Sequence, residues 1–183
     1  MEYLRRAVII ATVFFSNICP VSVFAEKPAG TVIYFKNGND IYVLLGEHAN
    51  STRGWSAFGG GDLDGETYIR TAARKTHEET RGYFSTKQIL EKITNQKPIM
   101  DGNYATYFVE VSFVPIPAIQ NKVLTEEQPK DAYAERSNFA WVPLSEIEVY
   151  YSNNIDLNSK YSINPAYLPT SSMTSNLWPI WLK

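Results

Sequence analysis

The chain has 183 residues with 17 basic and 19 acidic side chains, a formal charge of −2, and a 44 % apolar share. That length fits one ordinary domain, and that composition can fill a core, which excludes wholesale disorder and a coiled coil. The near-balance of charge excludes a strongly cationic face, so binding of duplex nucleic acid by phosphate neutralisation is not expected. The single cysteine can form neither an internal disulfide nor a thiolate zinc site.

Residues 1–25 read as a targeting segment. Arg5 and Arg6 precede a short apolar run from Ala7 to Phe15, and Val23-Phe24-Ala25 offers a small-residue cleavage point. The run is short for a bilayer-spanning helix, which needs about 20 residues. Two outcomes follow. One is export to a periplasm or the medium with cleavage after Ala25, leaving no stable membrane span and no cysteine, since Cys19 leaves with the segment. The other is an uncleaved N-terminal anchor.

Thr31–Phe35 and Ile41–Leu45 are β-rich, with Asn37-Gly38 between them as a hairpin signal. A polar loop from Glu47 to Gly54 leads to Trp55-Ser56-Ala57-Phe58 and the glycine cluster Gly59-Gly60-Gly61. Glu66 to about Thr80 lacks Gly and Pro and is expected to be a helix, with Gly82 as its C-terminal cap. Ser85 with Gln88 forms a capping box ahead of a second helix. Tyr104–Val114 is the longest β-rich run. Asn138–Val142 is a further strand stopped by Pro143, with a short helix from Ser145. In the tail, Leu177, Ile180 and Trp181 are expected to dock onto the body. Strands on both sides of a central helix give a mixed α/β (α+β) domain over residues 28–148, with 149–183 as a docked extension.

The chemistry concentrates between Gly60 and Glu79. Glycines let backbone approach a ligand. In the helix that follows, Glu78 and Glu79 lie about 100° apart and make one acidic edge. Arg74 and Lys75 each sit one turn before one of them. Adjacent carboxylates beside an open glycine loop suit a hard cation such as Mg²⁺ or Mn²⁺, while the same pattern also occurs as a solvated helix face with i,i+4 ion pairs. Ile69, Ala72, Ala73 and Thr76 are expected to face the body, His77 the solvent, and His48 to lie in a solvated loop. Asn50-Ser51-Thr52 is a glycosylation sequon.

The spacing Gly60…Glu66…Arg74…Glu78-Glu79…Gly82 resembles the Nudix box, G-x5-E-x7-R-E-U-x-E-E-x-G-U with U a bulky apolar residue. Trp55-Ser56-Ala57-Phe58-Gly59-Gly60 is similar to that family's W-x-x-P-G-G entrance, with Phe58 in place of Pro. The flanking strands, and Glu135 followed by Phe139–Leu144, are also similar. The resemblance implies a mixed sheet between helices. It implies a metal-dependent hydrolase that cleaves a small nucleotide-type substrate, a nucleoside diphosphate linked to another group, of the ADP-ribose, dinucleoside polyphosphate or NADH class. Glu78 and Glu79 would then be metal ligands for Mg²⁺ or Mn²⁺, with the Gly59 or Gly60 carbonyl. Arg74 would orient the carboxylates, Glu66 would brace the loop–helix junction, and Glu135 would be a later metal ligand or the base, with Asp62 as the other candidate base. Arg53 and Gly59–Gly61 would meet substrate phosphates. Many members pair, so a homodimer is compatible with it.

Three departures stand against that pattern. Lys75 replaces the first box glutamate, Thr80-Arg81-Gly82 is one residue longer than usual, and Thr76 replaces an apolar residue. The first implies an alternative reading, a catalytically inactive fold that binds a nucleotide or a protein. At an effective dielectric of about 20, unit charges 4 Å apart interact by about 4 kcal/mol, enough to weaken metal binding unless Lys75 swings to solvent.

Overall fold

A computed structural model describes residues 26–123, 130–151 and 155–183. The targeting segment and Cys19 lie outside the described residues. Among those residues, no helix is long and apolar enough to cross a membrane.

Strands β1 (Ala29–Asn37) and β2 (Asp40–His48) form the hairpin, turning through Gly38-Asn39 rather than Asn37-Gly38. Gly38 takes the left-handed φ of +61° that the tight turn needs. Short strands β3 (Trp55–Ser56) and β4 (Phe58–Gly60) follow. Helix α1 (Tyr68–Glu79) and helix α2 (Thr86–Ile93) come next. After them run β5 (Ile99–Asp101) and β6 (Tyr104–Glu110), then two short helices, α3 (Ile116–Gln120) and α4 (Lys130–Tyr133). Strand β7 (Arg136–Pro143) and α5 (Leu144–Glu148) complete the body. In the tail, β8 (Tyr161–Ser162), β9 (Asn176–Leu177) and α6 (Pro179–Leu182) are regular.

The sheet runs in the order β5-β6-β1-β2-β3-β9-β8, with β4 paired to β1 and β7 to β2. β1 lies parallel to β6 and antiparallel to β2 and β4. Each face of the sheet carries a core. On one side Ile33, Leu44, Phe58, Val109 and Phe139 pack with Ala72 and Ala73 of α1 and with Ile89 and Ile93 of α2. On the other, Val43, Leu45, Trp55 and Val142 pack with Ile147 of α5 and with Ile163, Leu177 and Leu182 of the tail. The mixed α/β class follows from this arrangement.

Some local expectations are met and others are corrected. α1 starts at Tyr68, so Glu66 precedes it. Thr76 is fully buried: its hydroxyl donates to the Ala72 carbonyl at 2.7 Å and so accepts from Thr31 at 2.7 Å. A polar residue is tolerated there because both partners are built in. β6 ends at Glu110, the Val111 N–H makes a last bond to the Tyr34 carbonyl at 2.9 Å, and beyond it the Val114 carbonyl accepts from the Trp141 indole at 2.7 Å. Ile180 is 57 % exposed, because the turn of α6 directs Leu182 inward in its place. The capping box at Ser85 and Gln88 forms, with both reciprocal bonds present.

Candidate active site

The loop from β4 enters α1 through Glu66. Its carboxylate accepts from the Leu63 N–H at 2.9 Å and from Arg74 Nε at 3.0 and 3.1 Å. Arg74 also reaches both oxygens of Glu78, at 3.2 and 3.1 Å, and the Gly61 carbonyl at 2.8 Å. One guanidinium thus ties the loop, the residue before the helix and the last turn of the helix. Burial pushes the Glu66 carboxyl up, but the hydrogen bonds from Arg74 and Leu63 outweigh it and hold the group below the usual range.

Glu78 and Glu79 part company. Glu79 is 1 % exposed. Its Oε2 accepts from Arg136 Nη2 at 2.6 Å and Nε at 3.0 Å, and from the Gly59 N–H at 3.4 Å. Arg136 spends its remaining N–H groups on the Gly46 and Ala57 carbonyls and Ser56 Oγ, at 2.9–3.1 Å. Burial raises the Glu79 carboxyl, and the Arg136 guanidinium pulls against it. The acidic edge is therefore one half-buried carboxylate held by Arg74 and one fully buried ion pair.

Lys75 points inward, its side chain 13 % exposed. Its Nζ lies 3.6 Å from Glu78 Oε2, 3.8 Å from Glu79 Oε1 and 3.4 Å from Glu135 Oε1. An ammonium thus stands among the three carboxylates that the resemblance offers to a divalent ion. Gly60 makes the room, since a Cβ there would come 2.5 Å from Lys75 Cε. Among the described residues, no group of three or more His, Cys, Asp or Glu side chains is placed to hold a metal ion. The donor set does not fit a divalent ion while Lys75 holds this position. Counting Glu66, Glu78, Glu79 and Glu135 against Arg74, Lys75 and Arg136, four carboxylates meet three cations, so the centre is nearly compensated from within.

The extra residue in the box is absorbed at the helix exit. Arg81 and Gly82 both take left-handed φ, +55° and +74°, and the Gly82 N–H bonds the His77 carbonyl at 2.7 Å. His77 is half-buried rather than solvated, with Nδ1 2.9 Å from the Phe84 carbonyl. His48 is 8 % exposed and closes β2 rather than lying in a loop. Ser56 Oγ gives its proton to the Ala57 carbonyl, so His48 Nε2 is the donor in the 3.1 Å contact between them. Burial, then Arg136 and Arg53, push the His48 imidazole down to about 3. Arg53 stacks on Trp178, its Cζ 5.1 Å from the ring centroid. The Tyr104 hydroxyl lies under Gly30 and Gly59, where burial and Glu79 raise its pKa. Among the described residues Lys75 pairs with Glu78, Glu79 and Glu135, and Asp62 forms no ion pair with it.

Sequence reasoning missed Arg136, Ser56 and Trp178. Arg136 carried one signal, an arginine beside Glu135 at the start of a β-rich run, where a buried cation needs an acidic partner. Nothing local marked Trp178.

The family profile described as NUDIX domain matches residues 26–161. No curated protein matches this chain. Among solved structures, a C. elegans Ap4A hydrolase binary complex is 20 % identical over 65 % of this chain and 81 % of its own, with a TM-score of 0.42. A MutT/nudix family protein from Enterococcus faecalis is 16 % identical over 63 % of this chain and 42 % of its own, at 0.42. The T. brucei MERS1 protein in its apo form is 14 % identical over 68 % of this chain and 60 % of its own, at 0.44. The profile spans most of the described residues from the first strand to the tail, and the chain belongs to the Nudix family.

Proposed function

We propose that this Nudix domain binds a nucleoside diphosphate linked to another group and that Lys75 blocks its cation-assisted hydrolysis. The observation that carries this reading is the Lys75 ammonium within 3.4–3.8 Å of Glu78, Glu79 and Glu135. A Mg²⁺ or Mn²⁺ ion entering that point would meet a like charge at contact distance, and no step through such an ion is assigned to the protein as it stands. What its own residues do is orient and enclose. Arg74 fixes Glu66 and Glu78, Arg136 fixes Glu79, and of the three glycines Gly61, with open space where a side chain would stand, leaves backbone open to an approaching phosphate.

A second reading, metal-dependent hydrolysis by the wild type, is favoured by one observation. The Lys75 contacts of 3.4–3.8 Å are longer than the 2.7–2.9 Å of strong charged hydrogen bonds, so the ammonium is loosely held.

The test is a panel of ADP-ribose, a dinucleoside polyphosphate and NADH, each with Mg²⁺ or Mn²⁺, for wild type and Lys75→Glu. Wild type should release no phosphate-bearing product above background, while Lys75→Glu should. Equal turnover by both would overturn the block and leave the second reading. Inactivity of both, with ligand bound, would show that Lys75 is not what prevents hydrolysis.

A further inference from the structure

The acidic centre is nearly compensated from within, so a diphosphate gains little charge attraction there. Affinity for a nucleotide has to come from a neighbouring surface. One adjoins it, and the tail helps to build it. We infer that Trp178, together with Arg53, contacts the nucleobase of a nucleoside diphosphate ligand, which makes the segment around residues 173–178 part of the ligand site. The inference rests on the ligand class proposed above.

Three observations support it. The first is adjacency. The Glu135 carbonyl accepts from the Ala49 N–H at 2.9 Å, while its carboxylate faces Lys75. The residue before Ala49 is His48, whose ring meets the Trp178 ring edge-on at 5.2 Å. From the other side, Arg136 links Glu79 to Ser56, and Ser56 links to His48. Trp178 therefore stands at the end of a continuous line of contacts from the acidic centre.

The second is chemistry. Arg53 is exposed and Trp178 half-buried, so both can be reached. Arg53 is in no ion pair among the described residues, and its guanidinium lies over the indole face. A flat cation resting on an indole marks a face that takes planar partners, and a base-stacking ring beside an unpaired guanidinium suits a base carrying phosphates.

The third is rigidity. The Trp178 N–H donates to the Trp55 carbonyl at 2.8 Å, and Leu177 pairs with Trp55 in the sheet. The Trp55 indole donates to the Thr174 carbonyl at 2.8 Å. Buried Glu47 accepts from the Met173 and Thr174 N–H groups at 2.8 and 3.0 Å. The tail is clamped at four points, so the ring is set in place before any ligand arrives.

Calorimetric titration of the full chain with ADP, and with pyrophosphate as a base-free control, tests this. Trp178→Leu should weaken ADP binding about tenfold and Trp178→Phe should recover part of the loss, while pyrophosphate affinity stays at its wild-type value. Arg53→Ala should also weaken ADP. If Trp178→Leu binds ADP as wild type does, or loses ADP and pyrophosphate equally, Trp178 is only a clasp for the tail and the inference is overturned. If wild type binds neither probe, the proposed ligand class fails and the inference with it; binding of ADP that is indifferent to Trp178 removes the inference alone.

Discussion

Arg136 grips a single oxygen of Glu79 with two N–H groups, at 2.6 and 3.0 Å, although 57 residues separate them and each is almost wholly buried. Removing one partner leaves a charge in the interior with nothing to neutralise it. Arg136→Met should cost about 3–5 kcal/mol, read as a shift in the urea unfolding midpoint. The pair Arg136→Met with Glu79→Leu should recover much of that loss. A cost under about 1 kcal/mol for the single variant would mean that the pair does not hold α1 to β7.

Gly60→Ala probes Lys75 from the opposite wall. The new methyl would meet Lys75 Cε, the flexible end of a side chain, so the chain can move aside at little cost. Stability should change by about 1 kcal/mol or less. Acylation of Lys75, followed by peptide mass analysis, should speed up as the ammonium leaves the carboxylates.

Acid should weaken the fold through His48. In the folded protein the imidazole stays neutral down to about pH 3, while in the unfolded chain it takes a proton near 6.5. Between those values the unfolded chain binds more protons, so stability falls as pH drops from 6.5 toward 3, by at most about 1.4 kcal/mol per pH unit. Glu66, held low when folded, adds loss in the same direction below the ordinary carboxylate range; Glu79, held high, opposes it. Melting temperature measured from pH 4 to 7 should fall less steeply in His48→Gln, which keeps a donor for Ser56.

Glu47 anchors the tail. Glu47→Leu leaves the Met173 and Thr174 N–H groups without their acceptor, at a cost of about 2–4 kcal/mol. Limited proteolysis should then cut between residues 169 and 176 in the variant well before wild type.

Much of the architecture was legible in the sequence because periodicity and punctuation are local. The β1–β2 hairpin, α1, the Ser85 capping box and β7 each carry their signal within a dozen residues. The box showed which helix faces the glycine loop. It could not show where Lys75 points, since that depends on Gly60 and Glu135, one from each side of the centre. His48 read as solvent-facing because it is polar; its partner Ser56, like the Thr31 that meets Thr76, comes from a strand that only tertiary pairing brings near. Ile180 was chosen for the tail by hydrophobicity alone, while the short turn of α6 presents Leu182 instead.

The pairing of Trp55 with Leu177 joins residues 122 positions apart. During synthesis the indole of Trp55 and the floor of its pocket must wait, uncovered, until Leu177 has emerged. The wall over Trp55 is thus closed by residues made long after it, and a nascent chain halted before residue 176 should engage chaperones that one extended past residue 183 escapes.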